Sequence, residues 1–171
     1  SGGTLGAAYY RELYLRRLST EKINPSNQMY LDNISNDMLN AVSFAYVVND
    51  LLIPWQRFRV GEYLYRKDRG YLWEQQLNEN TFEVLDKPIS EYAGEEHFGL
   101  IPLLVFSPTI IDDARRLNIA AQPVAYLDRP SENFSGKNNL KVDGIDLQNF
   151  FAKQNAAQLN FTSAIRMNAT F

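Results

Sequence analysis

The sequence predicts a mixed α/β domain, and three of its segments carry that prediction. The first is an amino-terminal Ser1-Gly2-Gly3 step that runs directly into a helical pattern. The second is a long stretch with apolar residues at helical spacing, residues 27–50. The third is the run 100–109, which is short, apolar and bounded by turn residues, as buried central strands are. Helices that flank a buried strand define the α/β class.

Composition excludes several classes of function. The chain has 171 residues, 45% of them hydrophobic and 22% charged, so a single folded domain with a real core is expected. A net charge of −3 without a basic cluster gives no reason to expect nucleic acid, and no polybasic tract points to acidic membranes. The absence of cysteine excludes disulfides, thiolate catalysis and cysteine metal sites. No membrane span or export signal is expected within the chain.

Apolar spacing predicts two helices in the first third of the chain. Leu5, Tyr9 and Leu13 recur every four residues, which indicates an amphipathic helix as far as about Leu18. The helix over 27–50 is expected to end before Ile53-Pro54. Its apolar stripe consists of Leu31, Ile34, Met38, Val42 and Ala45.

The middle of the chain predicts an insertion. Further helix is expected over 57–80, weakened at Gly61 and Gly70, and residues 57–99 then form a helical insertion or cap beside the main domain. Such helices could shape a binding pocket, although plain scaffolding is the simpler interpretation.

The last third predicts short elements joined by a surface loop. Segments 118–121 and 123–127 are expected to be extended, and residues 128–141 to be a loop. Asp143 or Asp146 is expected to cap a helix, and Thr162 or Ser163 the short final one.

The amino-terminal step has a chemical interpretation. Ser-x-Gly entering a helix is the second half of a nucleophile elbow, the Gly-x-Ser-x-Gly turn that exposes a serine hydroxyl. The glycines permit a positive φ and leave the serine uncrowded. The first N–H groups of the helix can receive an oxyanion. Ser1 is therefore the candidate nucleophile of an acyl hydrolase, and the backbone N–H of Gly2 its candidate oxyanion donor.

Three segments, in order, resemble bacterial patatin-like phospholipases of the Bacteroidetes type. The start resembles their Ser-Gly-Gly-x-x-Gly-Ala-Ala-Tyr-x-Arg-Glu-Leu stretch. The segment Pro-Leu-Leu-Val-Phe-Ser-Pro-Thr, 102–109, resembles the family's core strand and the hairpin after it. The segment 162–171 resembles the Ser-Ala-x-x-Ala-x-Phe-Pro helix that precedes the catalytic aspartate.

The resemblance implies a three-layer α/β/α patatin-like sandwich that hydrolyses lipid or small esters with a Ser-Asp dyad, without metal or organic cofactor. The dyad aspartate and the Gly-rich oxyanion loop are not among these 171 residues. We therefore expect a partial hydrolase domain, inactive by itself, divided into elbow helices (1–56), the insertion (57–99) and the core strand with carboxy-terminal helices (100–171). A cytoplasmic or membrane-associated location with peripheral membrane contact would suit such an enzyme.

Other interpretations stay open. Ser1 could be a remnant of an affinity tag, a serine in a structural turn, or an amino-terminal nucleophile that uses its own α-amine. His97 could be the base of a Ser-His-Asp triad. The domain could also be a non-catalytic interaction or scaffold module that has kept the fold.

The acidic clusters of the sequence do not predict a metal site or a catalytic acid. Glu95, Glu96 and His97, with the pair Asp112-Asp113, lack metal-ligand spacing. The step Asp143-Gly144 precedes the segment after which the family's acid lies, so a cap or turn is the simpler interpretation.

Overall fold

The computed structural model describes residues 2–18, 27–60, 62–112, 114–128 and 144–169. The chain is mixed α/β and mostly helical, which confirms the predicted class at that level; its sheets within the described residues are two pairs of strands. It divides into two compact units. Unit 1 is Ser1–Lys22 with Lys87–Phe171, and unit 2 is Ile23–Asp86. The predicted insertion, 57–99, overlaps unit 2 only in part.

In its described residues, unit 1 contains four α-helices and one parallel strand pair. The helices are α1 (Gly2–Leu18), α5 (Ala93–His97), α6 (Leu147–Phe150) and α7 (Phe161–Ala169). The strands β3 (Arg116–Asn118) and β4 (Gly144–Asp146) pair in parallel with Leu117 opposite Ile145. Short 3₁₀ helices cover Ile89–Tyr92, Ala125–Leu127, Ala152–Gln154 and Ala156–Gln158.

Helix α1 follows the predicted periodicity. Its buried face includes Ala8, Tyr9 and Leu13, and it packs against α7. Arg16 and Arg17 occupy its last turn, where cationic side chains stabilise the negative end of the helix dipole. The core on which it packs includes Tyr92, Phe106, Phe161 and Ile165.

Unit 2 contains the helices α2 (Asn27–Ser35), α3 (Leu39–Ala45) and α4 (Arg69–Asn80), with a π-helix over Tyr46–Leu52. The single helix predicted over 27–50 is therefore wrong, although the predicted end before Ile53-Pro54 is confirmed. Asp37 causes the interruption, because its Oδ1 accepts the backbone N–H of Leu39 at 2.8 Å and so starts a new helix.

A β-hairpin replaces the helix predicted from residue 57. Strands β1 (Arg57–Val60) and β2 (Tyr63–Arg66) pair antiparallel, with Phe58 opposite Tyr65. Helix begins only at Arg69, after Asp68 caps it by accepting the N–H of Tyr71 at 3.0 Å. Alternation of polar and apolar residues, the period of a strand, explains the difference.

The strand predicted over 100–109 is also absent as a continuous element. Only isolated bridges form there: Phe106 exchanges both backbone hydrogen bonds with Ile119, and Thr109 pairs with Arg116. The described part of 100–105 has no ladder, so the apolar run contributes to a groove rather than to a central strand. Residues 123–127 were predicted extended but form a 3₁₀ turn at Ala125–Leu127.

The helix caps predicted for the last third of the chain are confirmed only in part. Asp146 caps α6 by accepting the N–H of Gln148 at 2.9 Å, as predicted, whereas Asp143 lies outside the described residues, as does nearly all of the loop predicted over 128–141. Asn160, not Thr162 or Ser163, caps α7, because its Oδ1 accepts the N–H of Thr162 at 3.1 Å. Of the helices in the described ranges, none combines the length and apolar character that crossing a bilayer requires.

Candidate functional site

The amino-terminal turn is the first part of the candidate site. Ser1 lies outside the described residues, and α1 begins with the next residue, Gly2. Gly2 is exposed, and nothing lies within 4 Å of the position that a Cβ would take there. Its backbone is helical, so the positive φ expected from the elbow pattern is not found at Gly2; among described glycines it occurs at Gly99. The backbone at the first residue of α1 is therefore accessible to solvent.

The start of α1 is hydrogen-bonded to the end of α7. Asn168 Nδ2 donates to Thr4 Oγ1 at 2.8 Å, although the two residues are 164 positions apart. The other side of the same amide accepts the backbone N–H of Ser107 at 3.0 Å. A side-chain amide that uses both its donor and its acceptor fixes three segments at one point. The last turn of α7 therefore lies beside the first turn of α1.

A polar chain continues from this point into the strand pair. Ser107 Oγ donates to Asn118 Oδ1 at 2.8 Å, and Asn118 Nδ2 donates to Asp128 Oδ1 at 2.7 Å. Gly144 lies against these side chains: a Cβ there would be 2.7 Å from Asp128 Oδ1 and 2.9 Å from Asn118 Nδ2. Close approach, rather than a turn conformation, explains the glycine. A side-chain amide does not act as a base, so Asn118 cannot pass a proton from Ser107 to Asp128. These hydrogen bonds therefore hold the three segments in place and have no catalytic role.

A group of charged side chains lies on the buried face of α1. Glu12 is 1% exposed and binds three partners: its Oε2 is 2.8 Å from Lys87 Nζ and accepts the Tyr92 hydroxyl at 2.7 Å. Its Oε1 accepts Arg16 Nε at 2.8 Å. Charge-assisted hydrogen bonds of this kind are the strong ones, and three of them satisfy the buried carboxylate.

Arg11 and Glu96 form a second buried ion pair. Arg11 Nη2 donates to Glu96 Oε1 at 2.5 Å, and the side chains are 5% and 1% exposed. The Arg11 guanidinium carbon and Lys87 Nζ lie 4.5 and 4.4 Å from the centre of the Tyr92 ring. Two cations on one aromatic ring stabilise each position by cation–π attraction. The charged group thus joins α1 to the 3₁₀ turn Ile89–Tyr92 and to α5.

Burial shifts the ionisation of this group. Burial and the adjacent Glu12 carboxylate raise the pKa of Tyr92 well above its ordinary value, so the phenol stays protonated and donates. Burial also raises the pKa of Glu96, against the attraction of Arg11. Among the described residues, Glu96 Oε2 and Arg11 Nε have no hydrogen-bond partner. Both carboxylate oxygens of Glu12 accept hydrogen bonds, whereas only one of the two Glu96 oxygens does.

Arg11 and Glu96 also line a groove. Its volume is about 820 Å³. The residues that line it are Ala7, Tyr10, Arg11, Tyr14, Glu96 and 99–104. Most of this lining is apolar, and several of the apolar side chains are also exposed: Tyr10 is 59% and Leu100 51% exposed. Residues 100–104 of the apolar run therefore form a groove wall with α1, in unit 1 alone.

The other predicted residues are scattered. His97 is exposed at the end of α5, with its ring 5.4 Å from that of Phe98. Asp112 is exposed in a turn, and Asp113 lies outside the described residues. Within the described ranges no group of three or more acidic or histidine side chains is placed to hold a metal ion.

The sequence analysis did not predict that Arg11, Glu12 and Glu96 form a buried group of charged side chains. A signal existed, because Glu12 falls at helical spacing from Ala8 and Tyr9, on the face that the apolar stripe buries. Charged residues there require buried partners. The partners, Tyr92 and Glu96, are some 80 residues away and no local pattern announces them.

Comparisons with protein-family models, with curated proteins and with solved structures found no match to this chain.

Proposed function

We propose that this chain is the part of a patatin-like lipid acyl hydrolase that extends from the nucleophile elbow to the helix before the catalytic aspartate. Ser1 is the nucleophile, and the N–H of Gly2 contributes to the oxyanion hole. The three-layer sandwich is part of the same proposal. The resemblance of three ordered segments motivates it, and the geometry of α1 and α7 supports it.

The observation that carries the proposal is the hydrogen bond between Asn168 and Thr4. In the family that the sequence resembles, the acid of the dyad follows the helix that α7 resembles. A Ser-Asp dyad needs its two side chains within hydrogen-bond distance, roughly 2.6 to 3.2 Å. With Asn168 in contact with the first turn of α1, an aspartate soon after residue 171 would have only a short path to Ser1.

The groove along α1 supports an apolar substrate. It begins at Ala7, five residues after Gly2, and continues to Tyr14. At about 1.5 Å per residue this covers a span of roughly 7 to 18 Å from the start of the helix. An ester bound at Ser1 would therefore have an apolar wall within reach of its acyl chain. Apolar clefts with few polar groups are the usual form of small-molecule sites.

The proposed chemistry is acyl transfer through serine. Ser1 Oγ attacks the ester carbonyl carbon while its proton passes to the aspartate carboxylate. The carbonyl oxygen becomes an oxyanion and accepts the Gly2 N–H. The alcohol leaves with the proton from the aspartate, an acyl-serine remains, and water releases the acid by the same steps.

The test is labelling with a fluorophosphonate of the full protein that contains this sequence, followed by peptide mass spectrometry. An adduct on Ser1 that is lost in Ser1→Ala supports the proposal. Ser43→Ala, at an exposed serine of α3, is the matched control and should label normally. His97→Ala tests the triad alternative, since loss of labelling there would favour histidine as base.

Absence of an adduct in the folded full protein would overturn the enzyme and favour the interaction or scaffold domain. The observation that favours that alternative is the exposed apolar surface of unit 2. Its members are Leu39, Phe44, Val47, Leu51, Leu52 and Trp55. A large exposed apolar surface is typical of a site that contacts another protein or a membrane.

A further inference from the structure

The hairpin of unit 2 carries three arginines on one face. Side chains directly opposite each other in an antiparallel pair share a face, and every second residue returns to it. Arg57 lies opposite Arg66, and Arg59 lies opposite Leu64. These four residues therefore occupy one face, which we call the arginine face. All four are exposed.

The other face of the hairpin is attached to its own unit. The ring of Phe58 stacks on that of Tyr65 at 5.7 Å and lies 4.4 Å from that of Tyr71 on α4. Asn49 Nδ2 donates to the backbone oxygen of Lys67 at 3.0 Å, just after β2. Phe58 is thus packed within unit 2, while Tyr65 on the same face remains 49% exposed. The arginine face is the opposite face of the hairpin.

The arginine face has no compensating charge of its own. Like charges directly opposite in a strand pair are destabilising, and Arg57 and Arg66 are such a pair. Within the described part of the chain, no hydrogen bond or ion pair joins the side chains of Arg57, Arg59 or Arg66 to another residue. An anionic surface would relieve the repulsion that the fold leaves in place.

The charge of the hairpin also contrasts with that of the chain. Residues 56–69 contain five cationic and two acidic side chains, in a protein of net charge −3. The sequence shows no continuous polybasic tract, because apolar residues separate the arginines. Pairing of the strands brings the charges together on one face.

Exposed apolar side chains lie on the arginine face and in the segment that precedes the hairpin. Leu64 is itself 54% exposed, and Trp55, two residues before β1, is 71% exposed. Leu51 and Leu52, at the end of the π-helix, are 59% and 64% exposed. The turn that carries Trp55 is tied to the hairpin, since Lys67 N–H donates to the backbone oxygen of Gln56 at 3.0 Å.

We propose that this hairpin docks unit 2 onto an anionic phospholipid surface, with the arginines at the headgroups and Trp55 and Leu64 at the boundary with the acyl chains. Arginine attracts anionic lipid, and tryptophan prefers the interface between headgroup and hydrocarbon. Exposed leucines favour lipid over nucleic acid, because a phosphate backbone offers no apolar layer to receive them. The proposal does not depend on ester hydrolysis.

Co-sedimentation with vesicles tests the docking. The protein should bind vesicles of phosphatidylcholine mixed with phosphatidylglycerol and not vesicles of phosphatidylcholine alone. Each arginine near an anionic surface is worth roughly fivefold in affinity, so Arg57→Gln/Arg66→Gln should weaken binding by roughly 25-fold. The charge-matched control is Arg17→Gln/Lys153→Gln, at two exposed cations of unit 1, and it should bind as the parent does.

Other outcomes overturn the proposal. An equal loss in both double variants would show a response to net charge alone. No vesicle binding, or binding of the same strength to single-stranded DNA as to vesicles, would exclude a lipid-specific surface. Tryptophan emission in Trp73→Phe, which leaves Trp55, should shift to shorter wavelength with vesicles, and an unchanged spectrum would contradict insertion. Circular dichroism should show both double variants folded, since the replaced side chains are exposed.

Discussion

The charged residues described above differ between units 1 and 2 in burial and in pairing. In unit 1, Arg11 and Glu12 lie inside the protein, and each has a partner of opposite charge within 2.8 Å. In unit 2, Arg57 and Arg66 lie outside and face each other. Buried charges must be matched because the interior cannot solvate them, whereas exposed charges tolerate mismatch since water screens them. The matched group holds a fold together, and the mismatched group is available to a partner.

The largest effect is expected from Glu12→Ala, which would break the matched group. It leaves the buried Tyr92 and the partly buried Lys87 without their acceptor, and removal of one partner from a buried ion pair costs about 3–5 kcal/mol. Urea denaturation would measure the loss in free energy of unfolding. Glu91→Ala, at an exposed glutamate of the adjacent 3₁₀ turn, should change it by no more than about 0.5 kcal/mol. Equal losses in the two variants would contradict the role assigned to burial.

A smaller, pH-dependent effect is expected from Tyr92→Phe. At neutral pH the variant should lose about 1.5–3 kcal/mol, the contribution of a hydrogen bond to a charged group. The pKa of Tyr92 is raised in the folded state, so this stability is present below its ordinary value of 10.0 and is lost as pH rises above it. The parent should therefore lose its advantage over the variant in denaturation series above pH 10. A constant difference across that range would contradict the raised pKa.

The smallest effect is expected from Arg66→Glu, which would give unit 2 a matched pair. An opposite charge across from Arg57 should stabilise the hairpin by about 0.2–1 kcal/mol in thermal unfolding, while vesicle binding falls. Lys67→Glu makes the same change in charge outside the paired strands and should not stabilise. Stabilisation by both variants would mean that net charge, not cross-strand pairing, is responsible.

Local patterns predicted the parts of the fold that local interactions determine. The spacing of Leu5, Tyr9 and Leu13 predicted α1 as far as Leu18, because one amphipathic face is enough to define a helix. The hairpin was missed because residues 57–66 were interpreted at helical rather than strand period. A count of alternation at Phe58 and Val60 would have found it.

The rest depends on partners distant in sequence. The run 100–105 has the composition of a buried strand, but no strand among the described residues completes a ladder there, and composition cannot show that. Of the candidate site, the sequence predicted the helix that follows Ser1, while Ser1 itself lies outside the described residues and stays a prediction. The contact of Asn168 with Thr4 and the partners of Glu12 could not be predicted, since nothing in the neighbouring residues encodes a contact across 80 to 164 positions.

That separation between Thr4 and Asn168 has a consequence for biosynthesis. Ribosomes add about 5 to 20 residues per second, so roughly 8 to 33 seconds pass between translation of the two residues. Unit 2 is one continuous segment and can fold while that interval lasts. Helix α1 is translated before Lys87, Tyr92 and Glu96, so Arg11 and Glu12 lack these buried partners until those residues have been added. The nascent chain therefore exposes an incomplete unit 1, a candidate client for chaperones.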